Sequence, residues 1–487
     1  MVREKEVLQH PLAVVDAFSR YILLLLLPLL RSFMLFWSDF STWISGVWLD
    51  VLVLLVILGF GVARWWSVRV RLGEGLIVRS GLLIVRRRVI PLRKLSSIAV
   101  ERVWYLRPFK AVRFRAETDA GLEGAPELRL LLRVRDAEAV EKAFSDLLTG
   151  EKGMVRRYEP RGRYVGILSF LTSDSLTGVL FAAAVISQSG KILGEEAEDR
   201  LLNSLTRLMQ MVAFWLPPAA ALIAGVILGG WLIDFTLNLI RHLRFQAVRQ
   251  GDEIFVRCGA VTVRRYTLSA RHINYLYLRQ SLFTAVFGFY SGSAGVTGYG
   301  KNKGEQAVIL PAVGRGDLRR GLALILPELR PCGKKMRPPL RTLWRMVWPP
   351  LLTAAVAGIL WRAAYRRLPA VEELTMFLGA MVMLPAVWWL LIRFYGFFHT
   401  GVGWQGDAFT FRATRGYRIF TVVVPADKIV RVQVVRNIFQ RQSRCADLKV
   451  FVRAEGRRCF LIRNLDMDDV RRFLEALERR SKAADSG

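Results

Sequence analysis

The sequence predicts an α+β membrane protein with six transmembrane helices in three hairpins, each hairpin followed by an antiparallel β domain with a C-terminal helix. Apolar residues make up 53% and charged residues 23% of the chain, so long apolar runs and charged soluble segments must both be present. The apolar runs come in pairs along the chain. Short alternating segments, which are typical of strands, follow each pair and repeat.

Six apolar runs are long enough to cross a bilayer, which takes about 20 residues at ~1.5 Å each. They lie at roughly 12–37, 43–63, 164–188, 208–240, 343–361 and 374–398. Only Ser38 to Thr42 separates the first two runs, which forces an antiparallel hairpin. No small-residue cleavage site follows the first run, so we interpret it as a retained span rather than a signal peptide.

Basic residues predict which side of the membrane the β domains occupy. The stretches 64–162, 241–342 and 393–487 hold essentially all of the formal net charge of +31. The positive-inside rule therefore places these stretches and the N-terminus in the cytoplasm, although the arginines of the connector 362–373 run against it. Because topology accounts for much of the basic charge and no nucleic-acid-binding motif is present, we do not expect a nucleic acid as a partner.

A strand that ends in basic residues and leads into a short turn recurs in the three stretches. In the first copy, the strand ends in Arg86, Arg87 and Arg88 and leads to Pro91 and Lys94. The corresponding residues are Arg264, Arg265 and Ser269 in the second copy and Pro425 and Lys428 in the third. An amphipathic helix headed by an acidic residue closes each copy: Asp136, Asp317 or Asp466. The repeat predicts alternating hairpins and domains at 1–63, 64–150, 163–240, 243–330, 343–398 and 402–482.

The motif from Ser80-Gly81 through Pro91-Leu92 to Ile98 resembles the bacterial pleckstrin-homology (PH) membrane protein family of the YdbS/YdbT type. In that family each such domain follows a pair of membrane spans, and the larger members carry three copies. The resemblance implies PH-like β domains, each capped by a helix, in a multi-pass protein of the bacterial cell membrane. It brings no catalytic residues with it.

Basic residues at strand ends form the predicted binding site for lipid headgroups or other anions: Arg86, Arg88, Arg93, Lys94, Arg264, Arg265 and Lys428. Arginine matches phosphate oxygens, and each basic residue near an anionic membrane gains roughly 1 kcal/mol. Alternation along a strand places Arg87 on the opposite side from Arg86 and Arg88. The alternative interpretation is a solvated strand end near the membrane.

Ionisable residues within the predicted spans form a second group: Arg31, Asp50 and Asp174. A charge inside a bilayer is costly and is usually paired or functional. Arg31 and Asp50 have similar predicted depths and are expected to pair, the alternative being that each reaches the headgroup region separately. Asp174 favours either a polar contact between helices or a proton or solute path, unless this weak span lies at the interface.

No residue pattern indicates catalysis, a metal site or a cofactor. The four cysteines are scattered and are interpreted as reduced thiols: Cys258, Cys332, Cys445 and Cys459. The Gly-rich stretch 288–304 lacks the ending of a phosphate-binding P-loop, so we predict a flexible loop between strands.

The predicted function is that of a non-enzymatic membrane scaffold or binding protein. Its domains are expected to engage lipid headgroups, anionic ones included, one another, or a membrane protein partner, which can be a second copy of the chain. The competing hypothesis is a transporter or export accessory with a polar path near Asp174.

Overall fold

The structure is a computed structural model. It describes residues 5–14, 40–72, 75–81, 84–118, 128–149, 154–172, 203–204, 207, 218–296, 307–367, 372–416, 418–453 and 458–485. The predicted spans 12–37 and 164–188 lie largely outside these residues. Arg31, Asp174 and the side chain of Asp50 also lie outside them, so the predicted Arg31–Asp50 pair stays a prediction.

The described helices, in chain order, are α1 (Phe40–Ser67), α2 (Val134–Thr149), α3 (Gly162–Thr172), α4 (Pro218–His242), α5 (Leu282–Val286), α6 (Arg315–Ile325), α7 (Leu343–Arg367), α8 (Glu372–His399), α9 (Ile438–Gln442) and α10 (Met467–Asp485). Among the described residues, two segments are long and apolar enough to cross a membrane, Leu340–Arg367 and Thr375–His399. They correspond to the third predicted hairpin, which α7 and α8 form. The six-span architecture is therefore not established, and the other four spans stay predictions.

Helices α7 and α8 pack closely because a glycine lies against a tryptophan. A β carbon on Gly379 would lie 2.0 Å from the ring of Trp361. The missing side chain lets the indole ring lie against the backbone of α8, as small residues do between membrane helices.

The described strands fall into three consecutive groups. The first group is β1 (Lys5–Leu8), β2 (Arg69–Leu72), β3 (Gly75–Ser80), β4 (Arg86–Pro91), β5 (Leu95–Arg102), β6 (Ala111–Thr118) and β7 (Leu128–Arg133). The second is β8 (Arg156–Tyr158), β9 (Gln246–Gln250), β10 (Glu253–Cys258), β11 (Val263–Ser269), β12 (Ile273–Gln280), β13 (Phe289–Val296) and β14 (Ala307–Gly314). The third is β15 (Gly401–Gln405), β16 (Ala408–Arg415), β17 (Arg418–Pro425), β18 (Ile429–Val435), β19 (Cys445–Val452) and β20 (Arg458–Asp466).

The same order of elements recurs in the three groups. Three strands after a hairpin lead into a 3-10 helix, three further strands follow, and a helix closes the domain. The 3-10 helices are Leu92–Lys94, Ala270–His272 and Ala426–Lys428. Each domain buries an apolar core between its strands and its closing helix, with Phe114 and Phe144 in the first domain and Phe473 in the third. Antiparallel sheets with a C-terminal helix confirm the predicted α+β class.

Sheets run from one domain into the next, which the sequence did not indicate. In the described residues, one sheet has the strand order β7-β6-β5-β11-β10-β9-β8, and a second has the order β14-β13-β12-β17-β16-β15. The second half of each of the first two domains therefore forms a single sheet with the first half of the following domain. The strands β1-β2-β3-β4 and β18-β19-β20 form the separate sheets at the two ends of this series.

The segment before each predicted hairpin pairs with the strand after it. Strand β1 pairs with β2, and β8 pairs with β9. In the third domain, Met336 forms a single bridge with Val402 of β15. This segment lies so close to β15 that a β carbon on Gly403 would be 1.8 Å from the carbonyl oxygen of Gly333. Both ends of a hairpin are thus tied to the same sheet.

The Gly-rich stretch is partly a strand rather than the predicted flexible loop. Residues Phe289–Val296 form β13, and residues 297–306 lie outside the described part of the chain. At Gly295 a β carbon would lie 2.1 Å from the ring of Tyr275 on the neighbouring strand. Glycine therefore makes room for an aromatic ring across the sheet.

Candidate membrane-binding surface

Strand direction separates the predicted basic residues of the first domain. Helix α1 ends at Ser67 and β2 begins at Arg69, so the start of β4 lies near the end of this helix. Arg86 is therefore at the helix-proximal end of β4, whereas Arg93 and Lys94 follow its other end. A six-residue strand covers roughly 20 Å. The predicted residues are thus spread along the strand and do not form one cluster.

Arg264 and Arg265 lie at the junction between the first two domains. Arg264 Nε is 3.5 Å from Glu101 Oε1 of β5. Arg265 lies 3.4 Å from Glu138 and 4.0 Å from Glu141, both in α2. Burial raises the pKa of Glu141, and Arg265 opposes that rise. These two arginines therefore have carboxylate partners within the chain.

Lys428 lies in the 3-10 helix of the third domain. Its Nζ is 3.0 Å from the carboxylate of Asp427, and its side chain is largely buried. Like Arg93 and Lys94, it lies at the helix-distal end of its domain. The structure does not bring it near the other predicted basic residues.

Three loops that sequence reasoning missed place apolar side chains on the surface. These apolar loops are residues 103–110, 281–288 and 437–444, which follow β5, β12 and β18. Each ends in a left-handed backbone conformation at the same distance in sequence from its 3-10 helix: Lys110 (φ 52°), Gly288 (φ 70°) and Arg444 (φ 48°). The repeat therefore includes the loops as well as the strands.

Large apolar side chains at the apolar loops are exposed: Trp104, Tyr105, Phe109, Phe283, Val286, Phe287, Ile438 and Phe439. Trp104 is 63% exposed and Ile438 is 75% exposed. Exposed basic residues accompany them in the first and third loops: Arg107, Lys110, Arg441 and Arg444. Aromatic and apolar tips with adjacent cations are typical of segments that bind a membrane interface.

The first apolar loop lies between the ends of two predicted hairpins. Leu12 and Ala13, at the start of the first predicted span, pack against its buried base. Arg107 donates hydrogen bonds to the carbonyl oxygens of Ala260 (3.0 Å) and Val261 (2.6 Å), in the turn between β10 and β11. The N–H of Ala260 in turn donates to the carbonyl oxygen of Ile240 near the end of α4 (3.1 Å). The loop tip is therefore beside the points where the chain enters and leaves helices.

The second and third apolar loops have corresponding positions. The ring centroid of Phe283 is 4.4 Å from that of Trp388 in α8. Arg345, in the first turn of α7, donates hydrogen bonds to the Phe439 carbonyl oxygen (2.6 Å) and the Ser443 hydroxyl (2.9 Å). Phe289, directly after the second loop, has its ring centroid 5.4 Å from that of Tyr164 in the first turn of α3. All three apolar loops thus lie next to an end of a helix assigned to a hairpin.

Capping hydrogen bonds hold the second and third apolar loops in shape. Ser281 Oγ accepts from the Thr284 N–H at 3.2 Å, and Asn437 Oδ1 accepts from the Gln440 N–H at 2.7 Å. In each case the partner side chain bonds back to the first residue, which completes a capping box. A Ser or Asn followed three residues later by Thr or Gln is the sequence signal that could have found these loops.

Other candidate sites in the described part of the chain are small. No group of three or more His, Cys, Asp or Glu side chains gathers there to hold a metal ion. A cavity of about 170 Å³ lies between Tyr158, Tyr164 and Asp317. Small-molecule pockets usually measure roughly 300–1,000 Å³.

The cysteines are free thiols, and burial raises the pKa of Cys258 to about 11.

Comparison with known sequences places the chain in a family. A sequence model described as "Bacterial PH domain" matches residues 20–148 and 351–481, which together are more than half of the chain. The chain belongs to the bacterial PH domain family. Each match to the bacterial PH domain begins within a predicted hairpin and ends in a closing helix, α2 or α10. The second domain lies outside both matches, although its strands and helix follow the same order.

A curated relative supports the resemblance to the YdbS/YdbT type. The chain is 20% identical over 274 residues to the UPF0699 transmembrane protein YdbT of Bacillus subtilis (strain 168). The match covers 52% of this chain and 54% of YdbT, so the chain spans about half the length of that relative. No solved structure matches this chain. The predicted family is confirmed, and the chain is a membrane protein of the bacterial PH domain family.

Proposed function

We propose that the chain is a non-enzymatic membrane scaffold whose PH-like domains rest on the cytoplasmic membrane face through the apolar loops. The observation that supports this function is the repetition of an exposed apolar loop beside helix ends in all three domains. Burying aromatic tips at the interface is favourable, and each nearby cation adds about 1 kcal/mol on an anionic membrane.

The joined sheets hold the three domains together, so their apolar loops bind the membrane as one unit. Because β5 pairs with β11 and β12 pairs with β17, the three domains cannot rotate independently. One loop at the membrane therefore raises the effective concentration of the others at the same surface. Several weak anchors held in fixed positions bind more tightly than any one of them.

In this proposal the apolar loops bind the lipid headgroups, in place of the basic strand-end residues that the sequence predicted. Lipid headgroups would meet Arg107 and Lys110 in the first domain and Arg441 and Arg444 in the third. Family membership supports a membrane-associated role without catalysis. The competing transporter hypothesis depends on Asp174, which lies outside the described residues.

A depth measurement at two positions in the third domain tests the proposal. Ile438→Cys lies in an apolar loop, and Asp427→Cys is an exposed control at the helix-distal 3-10 helix. Each is labelled with an environment-sensitive fluorophore in the full chain, reconstituted into vesicles of phosphatidylcholine and phosphatidylglycerol. A Cys459→Ser background removes the one native thiol that is not buried.

We expect lipids with brominated acyl chains to quench the label at position 438 and to leave the label at position 427 unquenched. Quenching that is equal at both positions, or absent at position 438, would contradict the proposal.

A further inference from the structure

Within the described residues, the strand at each end of the series of joined sheets is paired on one side only. Within the described residues, β4 pairs with β3 alone, and β18 pairs with β19 alone. Their counterparts in the other domains are paired on both sides. Strands β11 and β17, which correspond to β4, each accept a strand from the preceding domain. Among the described strands, none pairs with the other side of β4, so that side of the strand can accept a further strand.

Both junctions use the same antiparallel register when it is counted from the 3-10 helices. At the first junction, Arg264 lies opposite Glu101. At the second, the corresponding residues Phe420 and Arg279 lie opposite each other. The two junctions share this register although different side chains meet at each, so we infer that the shape of the domains sets it. A further strand that pairs with β4 is expected to adopt the same register. Arg86 of β4 corresponds to Arg264 and Arg87 to Arg265.

We propose that β4 binds the edge strand of a PH-like domain from another protein, with an acidic residue opposite Arg86 and an acidic helix beside Arg87. This inference concerns a strand edge and stands apart from the contact of the apolar loops with the membrane. The bound strand would correspond to β5, and the acidic helix would correspond to α2. The complex extends the series of domains by one at its N-terminal end through strand addition.

Charge complementarity at the first junction supports this partner. Arg264 and Arg265 are satisfied there by Glu101 at 3.5 Å and Glu138 at 3.4 Å. Arg86 and Arg87 occupy the same positions on β4, are exposed, and form no ion pair within the described residues. A partner with two carboxylates in these places would repeat the contacts that already join the first two domains.

A second copy of the chain fits the edge poorly. In the shared register, its β18 would place Val435 where the first domain has Glu101. Its α10 would place Arg471, whose side chain is 69% exposed, where α2 has Glu138. Arg471 would then lie near Arg87, and like charges at such a position oppose association. The two ends of the chain therefore do not complement each other.

The chain itself can be converted into the proposed partner, which provides the test. Val435→Glu with Arg471→Glu places the two carboxylates on the C-terminal edge of the full chain. We expect the purified wild type to be monomeric by light scattering in detergent and this double variant to form concentration-dependent multimers. Val89→Cys and Val432→Cys, which face each other in the shared register, should then form disulfides between chains.

The matched control reverses the charge of the two arginines on β4. Adding Arg86→Glu and Arg87→Glu to the double variant should weaken association on the order of tenfold or more. If Val435→Glu harms folding, Arg471→Glu alone changes only an exposed side chain and should give weaker but detectable association. Monomeric behaviour of both acidic variants would overturn the proposal. Equal multimerisation and the same disulfide in a chain that carries Val89→Cys and Val432→Cys without the acidic substitutions would identify a second copy as the occupant and also overturn it.

Discussion

Glu253 is a buried carboxylic acid of β10 at the boundary between the first two domains. Ser145 Oγ of α2 donates a hydrogen bond to Glu253 Oε2 over 2.6 Å. Burial raises the pKa of Glu253, the Ser145 hydrogen bond opposes this rise, and Asp146 adds to it. A raised carboxyl pKa means that the folded chain favours the protonated form. Ionisation of Glu253 therefore lowers stability as the pH rises from the unfolded-state pKa through the folded-state pKa.

Glu253→Gln removes this charge and keeps an oxygen that can accept from Ser145. We expect the variant to have a higher Tm than the wild type at a pH above the raised pKa of Glu253, and the difference in Tm to shrink as the pH falls below the unfolded-state pKa. Thermal unfolding in detergent measures the Tm in both pH ranges, with the exposed Glu475→Gln as the control. A lower Tm at the higher pH, or an equal change at both, would show that burial of the charge does not govern stability here.

Helix α10 shows how an element closes a domain. Val470 and Phe473 lie one turn apart on its buried face. The Phe473 ring packs edge-on against Trp404 (6.0 Å), Phe409 (5.6 Å) and Phe411 (6.0 Å), measured between ring centroids. Strands β15 and β16 supply these three rings. The helix therefore fastens the first sheet of the domain through one aromatic cluster.

Phe473→Ala should lower the free energy of unfolding of the third domain by about 3–5 kcal/mol, because it removes a fully buried ring and leaves a cavity. Phe439→Ala is the matched control, since the same side chain is 67% exposed there. Denaturant unfolding in detergent, followed by tryptophan fluorescence, compares the two. Similar losses in both variants would mean that the cluster around Phe473 does not stabilise the domain.

The whole molecule is a row of domains joined by shared sheets and, at the first junction, by ion pairs. Arg265 of β11 lies between Glu138 and Glu141 of the preceding domain. Its side chain is 22% exposed, so these pairs are less screened than contacts on an open surface. The junction thus depends on charge as well as on backbone pairing.

Arg265→Glu would place a third carboxylate beside two others and should destabilise the chain by about 1–3 kcal/mol. Adding Glu138→Arg restores an opposite charge and should recover part of this loss. The four chains of a double-mutant cycle, compared by thermal unfolding, measure the coupling between the two residues. Additive losses, with no recovery in the double variant, would show that the ion pair does not contribute to the junction.

The sequence by itself determined the alternation of strands, the repeated turn after a basic strand, the closing helices and the family. These are local patterns, because side-chain periodicity and turn residues act over a few neighbouring positions. The capping boxes of the second and third apolar loops are also a local pattern, Ser281 with Thr284 and Asn437 with Gln440. The first span of the first predicted hairpin lies largely outside the described residues.

Only the tertiary structure decided which strands pair between domains. Arg86 and Arg264 follow the same local pattern. Arg86 lies on a strand side with which no described strand pairs, whereas Arg264 faces Glu101 of the preceding domain. The backbone groups that pair strands are chemically alike in every strand. The sequence pattern of one strand therefore does not identify which strand pairs with it. The apolar loops became recognisable as a surface for the same reason, since their exposure depends on where distant helices end.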